Sequence, residues 1–578
     1  MTRRIVRTIV QTSTAAVFTL IVIFFLDRNF RVLPNAIHEY MPSHHAGTVI
    51  TDVAVTRCST INPFSSCKLD ASVWHRVDKD LYLGRGVFSS AYLHVQRKRE
   101  EELTAEDKVV VDVSVGRLNP DVVAAKSSTD GHSREKRTNV VEIAAEAAGT
   151  GQHQHQHGRI EGVWESRPGG LWIKRSNRRG VSDSKDAVTG LDVLFGDDAY
   201  EARPGWEIKG TAMLLNAGVG IPEAHVTIRR GAEQGPPKPV PRIMDNGRFK
   251  IMQLADLHLS TGVGHCRDAL PEGEKCEADP RTLDFVEKIL EEERPNMVVL
   301  SGDQVNGETA PDAQTAIFKY AHLLIKHKIP YASIFGNHDD EGSMSRAAQM
   351  ELIEQLPYSL SKAGPVDIAG VGNYYIEVLS RGSSGHSAIT VYLLDSHSYS
   401  PNERKFKGYD WIKQDQIEWF RSTARSLKRS HKEYTHHHMD VAFIHIPIPE
   451  YVLPNLTRVG EWKEPSTAPA YNSGFYDALV EEGISMVSCG HDHVNEYCGL
   501  SKTQDEKPAL WMCYAGAAGF GGYAGYGGFH RKIRIFDFNM NEARITTWKR
   551  VEYGPDVDKR LEELILVDAG KVVAPVYQ

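Results

Sequence analysis

Seven metal-capable side chains follow short apolar runs at five places: Asp256 and His258 in "ADLH", Asp303 in "SGDQVNG", Asn337 in "GNHDD", His445 in "IHIP", and His491 and His493 in "CGHDH". Carboxylate, amide oxygen and imidazole are hard-to-borderline donors, suited to Zn, Mn or Fe rather than to thiolate chemistry. A single tetrahedral ion is complete with four ligands. A set this large therefore points to two ions sharing a carboxylate, roughly 3.5 to 4 Å apart, and Asp303 is the natural bridge.

The elements around these residues must bring them together. From Gly247 onward apolar runs alternate with amphipathic segments: "FKIMQLAD", "RTLDFVEKILEEE", "NMVVLSGD", "DAQTAIFKYAHLLIKHK", "IPYASIFGNHD". Strand and helix alternate as in an α/β domain. Later strands are predicted at "YYIEVL", "AITVYLLD", "DVAFIHIPI", "ISMVSCGHDH", "ALWMCYAG", "HRKIRIFDF" and "ARITTWKR", with a helix carrying Ile417, Phe420, Ala424 and Leu427 on one face. Each polar cluster ends a predicted strand. In open α/β sheets the C-terminal strand ends are where ligands bind, so the five clusters can share one crevice.

In that order, "DLH", "GDQVNG", "GNHD", "HIP" and "GHDH" resemble the five motifs of the calcineurin-like metallophosphoesterases, over Gly247 to about Val551. "HIPIPEY" and "GHDHVNEYCG" further resemble a fungal and plant branch related to purple acid phosphatases. The resemblance implies a metallophosphoesterase with a β-sandwich core flanked by helices. It also implies that one ion takes Asp256, His258, Asp303 and His493, and the other Asp303, Asn337, His445 and His491. A hydroxide held between two such ions, its pKa brought toward about 7, would attack phosphorus in line. His338 resembles the general acid for the leaving oxygen.

Two departures stand out. Purple acid phosphatases carry tyrosine, and protein phosphatases aspartate, where this chain has Asn306. Support for His338 is accordingly expected from Asp339 or Asp340, with Asp339 counted as catalytic. Asn306, and His397 in "LLDSHSYS", are the expected substrate contacts. The expected substrates are phosphorylated small molecules or phosphoproteins. Two competing readings keep the metal site: a phosphodiesterase or nucleotide pyrophosphatase, and a noncatalytic metal-binding scaffold.

The rest of the chain bounds these readings. At 578 residues two folded domains are expected. With 41% hydrophobic and 25% charged residues and a net charge of -8, nothing suggests a nucleic-acid partner. In residues 1–31, Arg3, Arg4 and Arg7 precede an apolar stretch ending at Leu26, with no small-x-small cleavage site after it. That reads as an uncleaved single-pass anchor rather than a cleaved signal. Residues 46–230 read as a β-rich accessory domain interrupted by a disordered insertion, 126–162, in which "QHQHQH" lacks fixed geometry. The remaining assignments are a linker at 231–245, the metallophosphoesterase domain at 246–551 and a tail at 552–578. "HHH" at 436–438 reads as a solvated turn, and the glycine-rich stretch 515–529 as a flexible loop beside the crevice. Of seven cysteines, Cys58 and Cys67, and Cys266 and Cys276, close short loops compatible with disulfides. With the "NLT" sequon at Asn455 they favour a lumenal catalytic domain, the alternative being a cytoplasmic one.

Overall fold

The apolar runs that precede the ligand candidates form strands in the computed structural model. It describes residues 47–129, 162–176, 186–271, 275–431 and 437–575, less isolated positions, with part of 11–22. The 1–31 anchor and the 126–162 insertion lie almost wholly outside the described residues. Among the described residues, no helix is long and apolar enough to cross a membrane. The chain divides into two units, Met1–Leu194 with Pro204–Gln234, and Phe195–Arg203 with Gly235–Gln578.

The first unit contains three small antiparallel sheets. Their central strands are Ser89–Arg99, Leu171–Ser176 and Ala224–Arg230. Alternating burial in Val109–Val115 turns Val109, Val111 and Val113 inward, and Val109 and Val111 meet Val49, Leu103 and Ala187. A disulfide joins Cys58 to Cys67.

The second unit is built on two seven-stranded sheets. Its strands are β1 (Arg248–Leu254), β2 (Met297–Ser301), β3 (Tyr331–Ile334), β4 (Tyr374–Leu379), β5 (Ser387–Leu393), β6 (Met439–Phe443), β7 (Thr457–Val459), β8 (Met486–Cys489), β9 (Cys498–Lys502), β10 (Pro508–Tyr514), β11 (Lys532–Asn539), β12 (Arg544–Val551), β13 (Leu561–Asp568) and β14 (Lys571–Val572). One sheet runs β3-β2-β1-β11-β12-β13-β14, the other β4-β5-β6-β8-β10-β9-β7. In the first, β1, β2 and β3 are parallel; in the second, β5, β6, β8 and β10 are.

One apolar core draws on both sheets: Ile251, Val299, Ile334 and Phe536 from the first, Val391, Val441, Met486 and Trp511 from the second. A ring of buried hydrogen bonds also joins them. Gln253 of β1 donates to Ser301 Oγ of β2 at 2.8 Å and accepts from Ser488 Oγ of β8 at 2.6 Å. Helix α1 (Ala278–Glu293) is tied to the first sheet by buried Glu293, which receives Lys250, Trp548 and Arg550. Helices α2 (Ala313–Lys326) and α3 (Arg346–Glu354) follow β2 and β3. The second sheet's other face packs on α4 (Gln414–His431) and α5 (Phe475–Glu481) through Ile417, Phe420, Ala424 and Leu479.

Three boundaries differ from expectation. Most of the expected 552–578 tail is not one: within 552–575, β13 and β14 extend the first sheet and bury Leu564, Leu566 and Val567 in the shared core. The 231–245 linker is bound at its end, where Ile243 is buried and its amide donates to Leu379 O at 2.8 Å. Segment 195–203, expected in the accessory domain, groups with the second unit. There Phe195 N donates to Thr315 Oγ1 at 3.1 Å and Asp198 pairs with buried Lys319 at 2.6 Å.

Candidate metal centre

All seven ligand candidates stand just beyond the C-terminal ends of parallel strands. Asp256 and His258 follow β1, Asp303 follows β2, Asn337 follows β3, His445 follows β6, and His491 and His493 follow β8. Both sheets thus present one end of the sandwich to the same place. The backbone turns sharply there: Asp256, His258, Asp303 and His491 have φ of 55°, 48°, 55° and 76°. Such left-handed conformations cost non-glycine residues about 1–3 kcal/mol each and persist only where surrounding structure holds them. The glycines of the motifs make room. A Cβ on Gly302, at φ +100°, would lie 2.2 Å from His445 Nδ1, and one on Gly336 would lie 2.1 Å from Asp303 Oδ1.

The side chains gather in two buried groups, Asp256 with His258 and His493, and Asp303 with His445 and His491; within each, ligand atoms lie within 4.8 Å of one another. Asp303 Oδ2 sits between the groups, 3.8 Å from His258 Nε2 and 3.2 Å from His445 Nε2. His258 Nε2 and His493 Nε2 face each other at 3.0 Å. Burial pushes His258 down to about 3 and His491 and His493 well below the usual range, which leaves neutral imidazoles with free lone pairs. Nδ1 of His445 lies 2.9 Å from Ser301 O; donating there turns Nε2 inward as an acceptor.

The donor set fits cations. Among the described residues, the buried atoms His491 Nε2 and Asn337 Oδ1 have no hydrogen-bond partner, although buried polar atoms nearly always do. His445 differs from the other histidines in charge: burial pushes it down, but Asp303 and Asp256 more than offset this and raise it to about 9. A cation that takes Nε2 must displace this proton. Titration with Mn²⁺ or Zn²⁺ at pH 7 is therefore expected to release at least about one proton per chain, read as a slope of binding heat against buffer ionisation enthalpy. A flat dependence would show His445 to be neutral beforehand.

The calcineurin-like phosphoesterase family model matches residues 249–495, the span that carries all five clusters. An Arabidopsis thaliana protein named probable inactive purple acid phosphatase 29 is 34% identical over 336 residues, 54% of this chain and 84% of that protein. The chain belongs to the calcineurin-like phosphoesterase family. Membership places it among hydrolases of phosphoester bonds. The phosphatase DCR2 of Saccharomyces cerevisiae is 39% identical over 386 residues, 64% of this chain and 65%, just under two thirds, of its own length. Uncharacterized protein C1020.05 of Schizosaccharomyces pombe is 28% identical over 533 residues, 89% of each chain.

Other expected site residues of this phosphoesterase fall elsewhere. The His338 ring lies 5.3 Å from that of His258, centroid to centroid, at the rim of the centre. Its partner is neither Asp339 nor Asp340 but Glu341, whose Oε2 lies 2.7 Å from His338 Nδ1. Asp339 is buried and receives the amides of Gly336, Asp303 and Val305 at 2.7, 2.8 and 2.9 Å, so it fastens the loops after β2 and β3. Asp340 faces Arg346. Asn306 Nδ2 donates to Thr309 Oγ1 at 2.8 Å inside its own turn. His397 Nε2 lies 2.8 Å from Gln416 Oε1. Neither side chain is directed to substrate by these contacts. "QHQHQH" lies outside the described residues.

The first part of the glycine-rich loop packs closely on the centre: a Cβ on Gly522 would lie 2.5 Å from His493 and 2.7 Å from His258. From the same loop Tyr523 stacks on His493 at 3.7 Å, receives His493 N and donates to His491 O. Cys498 pairs with Cys513 across β9 and β10, Cys266 with Cys276, and Cys489 is a buried thiol.

Four positioning residues escaped the sequence reading. Glu341 lies against His338 and Tyr399 donates to Glu341. Arg346 ties Gly336 O to Asp395 and His397 O. Lys319, wholly buried on α2, donates to Ser260 O and Gly262 O and so holds the loop after His258. A lysine among the apolar positions of an amphipathic helix was the one signal available for it.

Proposed function

We propose that this chain is a phosphatase that hydrolyses phosphomonoesters, phosphoproteins among them, with two metal ions. The observation that carries this reading is the single Asp303 oxygen between histidines of two buried donor groups. Asp256, His258, Asp303 and His493 would hold one ion, and Asp303, Asn337, His445 and His491 the other. When bound, such a pair supplies Lewis acidity toward a phosphoryl oxygen and lowers the pKa of a water between them. Iron, zinc and manganese all suit these donors.

The chain's own residues do the rest. Asp303 is the anionic partner common to both donor groups. Neutral Asn337 and the imidazoles leave net positive charge for an anionic substrate. His338, at the rim, donates a proton to the leaving oxygen. In the catalytic unit none of the seven donors is replaced, which favours activity even though some plant relatives carry inactive names.

A panel of p-nitrophenyl phosphate, bis-p-nitrophenyl phosphate, phosphoserine and phosphopeptides, run beside metal analysis, tests the proposal. Two ions per chain and preference for monoesters are expected. Preference for the diester would favour the phosphodiesterase reading, and loaded protein inert toward every ester would favour a scaffold. A lumenal location is supported by the Arg-flanked apolar N-terminal stretch and by the sequon "NLT", whose Asn455 is exposed; glycosidase resistance of secretory-pathway protein would count against it.

A further inference from the structure

His338 lacks the aspartate that protein phosphatases place at the Asn306 position, yet it is not unsupported. Glu341 Oε2 lies 2.7 Å from its Nδ1. The other oxygen, Glu341 Oε1, accepts the Tyr399 hydroxyl at 3.0 Å. The Tyr399 hydroxyl oxygen in turn accepts from Asn337 Nδ2 at 3.4 Å, so the chain of contacts returns to the residue beside His338. The base of the side chain is packed: a Cβ on Gly307 would lie 2.6 Å from Glu341 Cβ, so the loop after β2 lies against the stem of Glu341. Tyr399 is held from its own side. It pairs with Tyr409 in an antiparallel bridge, and their rings stack at 5.5 Å. Tyr409 meets the His491 ring edge-on at 4.3 Å.

We propose that Glu341 and Tyr399 are positioning residues for His338, doing the work of the missing aspartate. This rests on the phosphatase reading above. With Nδ1–H donated to Glu341, the proton available for the leaving group is the one on Nε2. As the oxygen of the attacking water bonds to phosphorus and the ester P–O bond breaks, the bonding pair stays on the ester oxygen and the Nε2 proton passes to that oxygen. The imidazole is left neutral, still bound through Nδ1–H to Glu341, and is reprotonated from solvent, which receives the proton the attacking water gives up. Tyr399 acts one step further out: its hydroxyl occupies Oε1 and so keeps Oε2 turned toward His338.

Leaving-group dependence separates this role from a purely structural one. Phosphoserine has a poor leaving group that needs a proton, whereas p-nitrophenolate leaves without one. Wild type, Glu341→Gln and Tyr399→Phe are compared on both esters, with metal content measured for each. General acids contribute about 10²–10⁴-fold, so Glu341→Gln is expected to lose about 10-fold or more activity on phosphoserine beyond its loss on p-nitrophenyl phosphate. Tyr399→Phe should shift the same ratio in the same direction by a smaller factor, with the metals retained. Equal losses on both esters, with wild type active, overturn the inference and leave the phosphatase reading standing. A wild-type chain inert on both overturns the reading and the inference together.

Discussion

Asp303→Asn is expected to fold normally, to bind fewer than two metal ions per chain and to lose at least about 10²-fold in phosphoester hydrolysis. The substitution is nearly isosteric. Its Oδ1 can still accept the His338 amide, which Asp303 Oδ1 receives at 2.8 Å, so the turn after β3 keeps its anchor. What changes is Oδ2, the atom between His258 and His445. An amide nitrogen there carries two hydrogens toward a place built for cations and removes the negative charge that the two donor groups share.

The electrostatics show how strongly that charge is held. Burial alone would push the Asp303 carboxyl up, but His445 and then His338 more than reverse this and hold it well below the usual carboxylate range. A neutral side chain forfeits all of that interaction. Metal analysis, kcat on p-nitrophenyl phosphate and far-UV circular dichroism, taken together, check the outcome. Two ions and undiminished turnover in the folded variant would remove Asp303 from the centre.

The centre was legible because its ligands are local in sequence to the ends of strong apolar runs. "VVLSGD" and "SMVSCGH" announce a buried strand and then, within two residues, a polar donor. The left-handed backbone at Asp256, Asp303 and His491 explains why the donor comes so soon: the chain turns at the ligand itself, not after it. What surrounds the centre is nonlocal, and periodicity carries no trace of it. Tyr399 reaches Glu341 across 58 positions, and Lys319 reaches Ser260 across 59.

Strand β13 was hidden for another reason. Glu562 and Glu563 interrupt "LEELILVD" with exposed charges, so only Leu564, Leu566 and Val567 face the core and the run looks too polar to be a strand. Asp339 misled in the opposite direction. Adjacency to His338 suggested chemistry, whereas its carboxylate turns inward to three backbone amides.

That inward turn makes a stability prediction of equal weight. Asp339→Ala leaves the amides of Gly336, Asp303 and Val305 without their acceptor in a buried place. Each unsatisfied buried donor costs about 1–3 kcal/mol, so the loss is expected to reach at least about 3 kcal/mol and to lower the apparent Tm by several degrees. The loops it fastens carry Asp303 and Asn337, so metal binding should weaken with the fold. Asp340→Ala is the control: its carboxylate is partly exposed beside Arg346, and such pairs contribute about 0–1 kcal/mol. Thermal unfolding of both variants beside wild type checks the contrast. Were Asp339→Ala to unfold at the wild-type temperature while losing turnover, the carboxylate would be acting in the chemistry and its three amide bonds would be incidental to the fold.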